Sequence, residues 1–254
     1  MIKSIKTLMV LCCITINYIQ GQAPTEYAAS IEVGLEHPEA VKRLNLSAKQ
    51  LTELPESIGR FINVEHLDLT ANQLTTLPAA IGKLKKLKRL DIGQNKLTTL
   101  PNEIGNLEHL ERIDLSYNQL TQLPESIGNL KKLTRIDLGH NQLESLPESF
   151  GNLSSLKRLD IYKSKLTSLP QSIGKLAALT ELYLGYNNIT ALPESFGNLV
   201  NLSELFLNGN QLTKLPSSFG KLINLNPVQL TGNPFEEKEK ENIKVSFSKL
   251  NFKF

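Results

Sequence analysis

The chain has 254 residues, 40% of them hydrophobic and 21% charged, with a formal charge of +3. That is enough apolar material for a sizeable core in one extended domain. The nearly balanced charge gives no general pull towards nucleic acid or anionic membranes, so neither is expected as a partner.

Residues 1–21 read as a secretory leader. Lys3 and Lys6 form a basic start, and an apolar run from Leu8 to Ile16 follows, broken only by Thr15. The run is too short to cross a bilayer, which takes about 20 residues. Cleavage after Gly21 leaves Gln22 first and lowers the formal charge to +1, because the leader holds two lysines and no acid. An uncleaved, loosely anchored leader and a lipid-bearing Cys13 are the alternatives. Cys12 and Cys13 are the two cysteines and both lie in the leader, so the processed chain has no disulfide and no thiolate metal site. Export follows as the expectation, to the medium or the cell envelope, with a cytoplasmic location as the alternative.

Residues 22–40 read as an N-terminal cap. Tyr27, Ile31 and Leu35 are spaced by four, which predicts a helix over Thr25 to Glu36 that Pro38 stops. From Val41 to Phe235 the pattern L-x-x-L-x-L-x-x-N-x-L returns every 23 residues. It starts at Val41, Val64, Leu87, Leu110, Leu133, Leu156, Leu179, Leu202 and Leu225, giving nine copies without insertion. Within Leu110–Leu120, Ile113 and Leu115 are two apart and share the inner face of a short strand, while Arg112, Asp114 and Ser116 point to solvent. One copy cannot bury its own leucines, so stacked copies pair their strands as a parallel sheet. In the second half of the copy, Pro124 fixes φ and suits a short helical or extended segment. Ile127 and Leu130 face inward, and Gly128 is expected to take positive φ and end the turn. A lean outer side against a packed sheet predicts a curved rod with the sheet on its concave face. Residues 236–254 read as a C-terminal helical cap, with Ile243, Phe247 and Leu250 at near-helical spacing after a charged run. A partner-binding or membrane-binding tail is the competing reading of this segment.

The motif resembles the leucine-rich repeat family, in its 23-residue LPxxIGxL form. It is similar to repeat proteins of the Ras-group-related type and to bacterial ones, spirochaete proteins included. The resemblance implies an α/β solenoid, a horseshoe with a parallel sheet inside and short helical or extended segments outside. It also implies that Asn72, Asn95, Asn118, Asn141, Asn187, Asn210 and Asn233 form a buried ladder satisfying backbone groups, which Lys49 and Ser164 interrupt. By the same analogy the function is binding a protein ligand. An intracellular adaptor and a carbohydrate or cell-wall binder are the alternatives.

No catalytic constellation appears. His37, His66, His109 and His140 fall at different repeat positions, and no hydrolase elbow, zinc-protease motif or phosphate loop occurs. The expectation is a monomeric binding protein without enzymatic activity, cofactor or metal. On the concave face, Asp68, Asp91, Asp114, Asp137 and Asp160 form one row and Arg89, Arg112, Arg135 and Arg158 another. Like charges about 4.8 Å apart repel, so mutual neutralisation, with Arg112 serving Asp114, is favoured over Ca²⁺ binding. The aromatic residues carry more information. Phe150, Phe196 and Phe219 replace the inward isoleucine and belong to the core. Tyr117, Tyr162, Tyr183, Tyr186 and Phe206 map to the concave face or its edge, and with His140 they are the candidate partner-binding residues. Tyr162, Tyr183, Tyr186 and Phe206 are expected to form one cluster. Four N-x-S/T sequons, at Asn45, Asn152, Asn188 and Asn201, could carry glycans in a eukaryotic secreted protein.

Overall fold

The computed structural model describes residues 26–254. The leader, its two cysteines and the expected new terminus at Gln22 lie outside the described residues. Among the described residues, eleven short parallel strands follow one another in a single sheet, in chain order. They are β1 (Tyr27–Ala28), β2 (Arg43–Asn45), β3 (His66–Asp68), β4 (Arg89–Asp91), β5 (Arg112–Asp114) and β6 (Arg135–Asp137). After these come β7 (Arg158–Asp160), β8 (Glu181–Tyr183), β9 (Glu204–Phe206), β10 (Val228–Gln229) and β11 (Phe252–Lys253). From β2 to β9 each residue pairs with the one 23 positions on, as Arg89 with Arg112 and Asp91 with Asp114. The fold is the curved leucine-rich-repeat solenoid that the motif implies.

Each copy places its apolar residues inside. Leu110, Ile113, Leu115, Leu120, Ile127 and Leu130 are fully buried, and so are Phe150, Phe196 and Phe219. The outer segments are five-residue 3-10 turns, for example Glu125–Asn129. Pro124 precedes that turn in extended conformation, at φ −69° and ψ 149°. Its carbonyl accepts from the Ile127 N–H at 3.0 Å.

Gly128 departs from its expected role. Positive φ occurs among the glycines at Gly209 and Gly232 and not at Gly128. Gly128 is needed for space, because a Cβ there would stand 2.3 Å from the Ser149 carbonyl oxygen of the next copy. Gly105, Gly151, Gly174 and Gly197 meet the next copy's serine in the same way. The outer turns therefore pack backbone against backbone.

The N-terminal end differs from the helical reading, and the C-terminal end adds a strand to its helix. The N-terminal helix α1 spans only Ile31–Gly34, capped by Ser30, whose side chain accepts from the Val33 N–H. Tyr27 and Ala28 instead pair with Arg43 and Leu44. The open edge of β2 needs backbone partners, and that outweighs the four-residue spacing. At the other end α2 spans Glu237–Ser246 and buries Ile243. The chain then turns back, Phe252 and Lys253 pairing with Val228 and Gln229 as an edge strand. Phe247 and Phe252 lie 5.9 and 6.2 Å from Phe219, ring centre to ring centre, and cover the last core layer. Among the described residues no helix is long and apolar enough to cross a membrane.

Candidate protein-binding face

Strands β2 to β10 each end in the same tight turn. The asparagine of the turn points inward. The Asn118 carbonyl oxygen accepts from the Leu97 N–H at 2.9 Å, and its amide donates to the Ile92 and Leu115 carbonyls, each at 3.0 Å. Asn72, Asn95, Asn141, Asn187, Asn210 and Asn233 repeat this pattern. Ser164 keeps half of it: its hydroxyl accepts from the Leu143 N–H at 2.8 Å.

To turn the asparagine inward, the residue before it takes left-handed backbone. Ala48, Ala71, Gln94, Tyr117, His140, Lys163 and Tyr186 all have φ between 53° and 57°. Outside glycine this conformation costs about 1–2 kcal/mol. The next copies use Gly209 and Gly232 at this position. The turn thus projects its side chain over the rim of the sheet, and in the middle copies that side chain is large.

Four rings form a continuous row along this rim. Tyr117 stacks on His140, with centres 4.1 Å apart and planes 10° from parallel. His140 meets Tyr162 at 5.8 Å, and Tyr162 meets Tyr186 edge-on at 5.2 Å. Tyr162 reaches the row from one position earlier in its copy, where Gly139 and Gly185 stand in the flanking copies. A Cβ on Gly185 would lie 3.3 Å from the Tyr162 ring. Lys163, missed in the sequence, joins the row, its ammonium 5.5 Å from the Tyr162 ring centre and 5.9 Å from that of Tyr186. The alternation of glycine at 93, 139 and 185 was the available signal that space had been left for a ring.

Tyr183 and Phe206 form a second group on the strand face, stacked at 5.1 Å. The single expected cluster is therefore two, because Tyr162 and Tyr186 turn along the rim while Tyr183 and Phe206 stand on the sheet. Both residues of the second group are half-buried. The Tyr183 hydroxyl donates to Glu204 at 2.5 Å, and the Arg158 guanidinium lies 4.4 Å above the ring. Burial first, and then the Glu204 hydrogen bond, raise this phenol well above its ordinary range. It stays a neutral donor at any physiological pH.

The charged rows are less uniform than their register suggests. Asp68, Asp114 and Asp160 each accept the backbone N–H two residues on, from Thr70, Ser116 and Tyr162. Asp91 and Asp137 are buried and turn to side-chain nitrogens. Asp91 takes Arg89 at 2.6 Å and His66 at 2.9 Å. Asp137 takes Arg135 at 2.8 Å, with Arg112 at 3.8 Å and Arg158 at 3.9 Å. The expected Arg112–Asp114 pair is not formed. Ser116 supplies two donors to Asp114, its N–H and its hydroxyl, and holds that carboxylate against the turn. Among the described residues no group of three or more His, Cys, Asp or Glu is arranged to hold a metal.

The sequence profile described as "Leucine-rich repeat region" matches residues 39–118 and 113–186, and that of "Leucine Rich repeats (2 copies)" matches 177–220. The chain belongs to the leucine-rich repeat family. Members of this family are generally binding modules rather than enzymes, and commonly bind proteins. No curated protein matches the sequence of this leucine-rich-repeat protein. Among solved structures it is similar to a leucine-rich-repeat protein of Leptospira interrogans. That match is 28% identical over 88% of this chain and 85% of the other, at a TM-score of 0.47. It is also similar to a plant peptide hormone receptor, RGFR1, in complex with RGF2, at 33% identity and a TM-score of 0.71. This match covers 85% of this chain but only 36% of the receptor chain.

Proposed function

We propose that the protein is exported and binds a protein ligand on its concave face, through Tyr117, His140, Tyr162, Tyr183, Tyr186 and Phe206. The observation that carries this reading is the row of four touching rings on the rim. Tyr117 and Tyr186 are about half exposed and sit in backbone that disfavours large side chains. Glycine would fill those positions at no conformational cost, as it does at 209 and 232, so packing within the fold does not account for the rings. Exposed tyrosines supply much contact area at low entropy cost and are enriched among binding hot spots. A fold shared with a plant peptide hormone receptor solved in complex with RGF2 supports the same reading. The basic and apolar leader supports export.

Affinity capture with the chain from Gln22 onward, followed by titration calorimetry of the captured protein, tests the face. Tyr117→Ala with Tyr186→Ala should weaken binding by about 2 kcal/mol or more on the hot-spot scale and leave the melting temperature nearly unchanged. Unaltered affinity sinks the assignment. Binding to a glycan array in place of any protein would favour the carbohydrate alternative. Mass spectrometry of native material should find an N-terminus near Gln22, and an intact Met1 in the major species would exclude processing.

A further inference from the structure

The rim row walls a recess of about 300 Å³. Tyr117, His140 and Tyr162 form one side, and Asp114, Asp137 and Asp160 with Arg135 form the floor. The charges of that floor are unevenly matched. Arg135, Arg112 and Arg158 all converge on Asp137. Asp114 has no cationic nitrogen within 4 Å among the described residues, and its bonds to Ser116 use only one of its two oxygens. Asp160 has, among the described residues, one cation at the limit of contact, Arg158 at 3.9 Å, and that guanidinium is held more closely by Glu181 at 2.6 Å. Burial, and to a lesser degree the neighbouring Asp137, raise the pKa of Asp160, as expected of a carboxylate short of positive charge.

The rings show the same asymmetry. Lys163 lies over Tyr162 and Tyr186, and Arg158 over Tyr183. Among the described residues no cation lies over the Tyr117–His140 stack at the other end of the row. Aromatic faces beside carboxylates attract an ammonium or guanidinium group, and the rings also cover its aliphatic stem.

We propose that this recess seats a lysine or arginine side chain of the protein partner, its charge against Asp114 and Asp160 and its stem along Tyr117, His140 and Tyr162. The proposal rests on the protein-binding reading and specifies the partner's chemistry as a basic segment. An acidic ligand would meet Asp114 and Asp160, the two carboxylates there without a close cation.

The peptide acetyl-(Arg-Gly)5-amide, titrated at low salt into the ¹⁵N-labelled protein, is the probe, with acetyl-(Glu-Gly)5-amide as the charge-reversed control. The arginine peptide should give saturable shifts centred on the amides of Asp114, Tyr117, His140 and Tyr162, and the glutamate peptide none. Asp114→Asn with Asp160→Asn should weaken the arginine peptide at least tenfold, whereas Asp68→Asn should not. Asparagine keeps the oxygen that accepts the Ser116 and Tyr162 N–H groups, so the double variant should fold, and its melting temperature checks this. Equal affinity for the double variant, or shifts elsewhere on the molecule, overturns the proposal. The captured partner separates this result from failure of the binding face. If Tyr117→Ala with Tyr186→Ala weakens the partner but the asparagine pair does not, the face stands and the cation seat falls. If the arginine peptide depends on both aspartates while the partner ignores the aromatic changes, the seat stands and the face falls.

Discussion

Asn118 does three things with one side chain. It accepts one backbone N–H and donates to carbonyls of two different copies. Asn118→Ala therefore strands the Leu97 N–H in a buried site, at about 1–3 kcal/mol for each group left unpaired. Thermal melts should show a clear loss, and a wild-type melt would end the ladder account. Ser164→Asn is the reverse case. Ser164 already satisfies the Leu143 N–H, and the Leu138 and Ile161 carbonyls that a new amide would reach already accept from Asn141 and Asn187. The gain should be no more than that of an ordinary hydrogen bond, about 0.5–1.5 kcal/mol. Asp160 makes a pH-dependent prediction. Burial raises its folded pKa above the ordinary aspartate value of 3.8. Its contribution is therefore most favourable below that value and is lost as pH rises through the folded pKa. Asp160→Asn mimics the protonated form, so the variant should melt above wild type at pH 7 and converge with it below about pH 3.8. A gain that persists unchanged at pH 3 would assign the effect to something other than the charge.

The 3-10 turn carries the second half of each copy, and its glycine decides how closely two copies approach. Gly128→Ala places a methyl group 2.3 Å from the Ser149 carbonyl, where backbone must give way. Gly93→Ala, on the concave side, meets its nearest atoms at 3.3 Å, within reach of small adjustments. Denaturant titration should find the first variant less stable by about 1–3 kcal/mol or more, the range for overpacking, and the second close to wild type. Equal stabilities would mean that the outer turns can separate freely. A different element, the N-terminal helix, shows why its reading failed. Tyr27, Ile31 and Leu35 carry a helical period, but periodicity contains no term for an unpaired strand edge, which claimed Tyr27 and Ala28. The strands were legible, because Ile113 and Leu115 can alternate only one way against a buried core. The left-handed turn was not, because the residues in it are tyrosine, histidine, lysine, glutamine and alanine, and glycine marks it only at 209 and 232. The site was accordingly half legible. The ring-bearing residues could be found by repeat position, whereas their division between rim and strand face depends on that hidden turn. The neglect of Asp114 by the arginines likewise depends on Ser116, whose hydroxyl no charge pattern registers.

At the scale of the whole molecule, stability rests on two covered ends. The C-terminal cover ends in β11, whose Lys253 carbonyl accepts the Leu230 N–H at 2.7 Å and whose Phe252 lies over Phe219. Removing residues 251–254 bares the edge of β10 together with aromatic core. The shortened protein should sediment as self-associated species and lose the sharpness of its unfolding transition. A monodisperse monomer with an unchanged melt would show that α2 suffices as a cover. Between the ends, the constant 23-residue register has a consequence for any extended ligand. Arginine stands over arginine and aspartate over aspartate from β4 to β7, so a partner reading only those rungs meets nearly the same surface again after one step along the rod. Such a surface behaves as a ruler with graduations but no zero mark, and several offsets would be almost equal in energy. The rings from Tyr117 to Tyr186 occur in four consecutive copies and nowhere else along the rim. They break the translational symmetry, and so determine where along the rod a sliding ligand comes to rest.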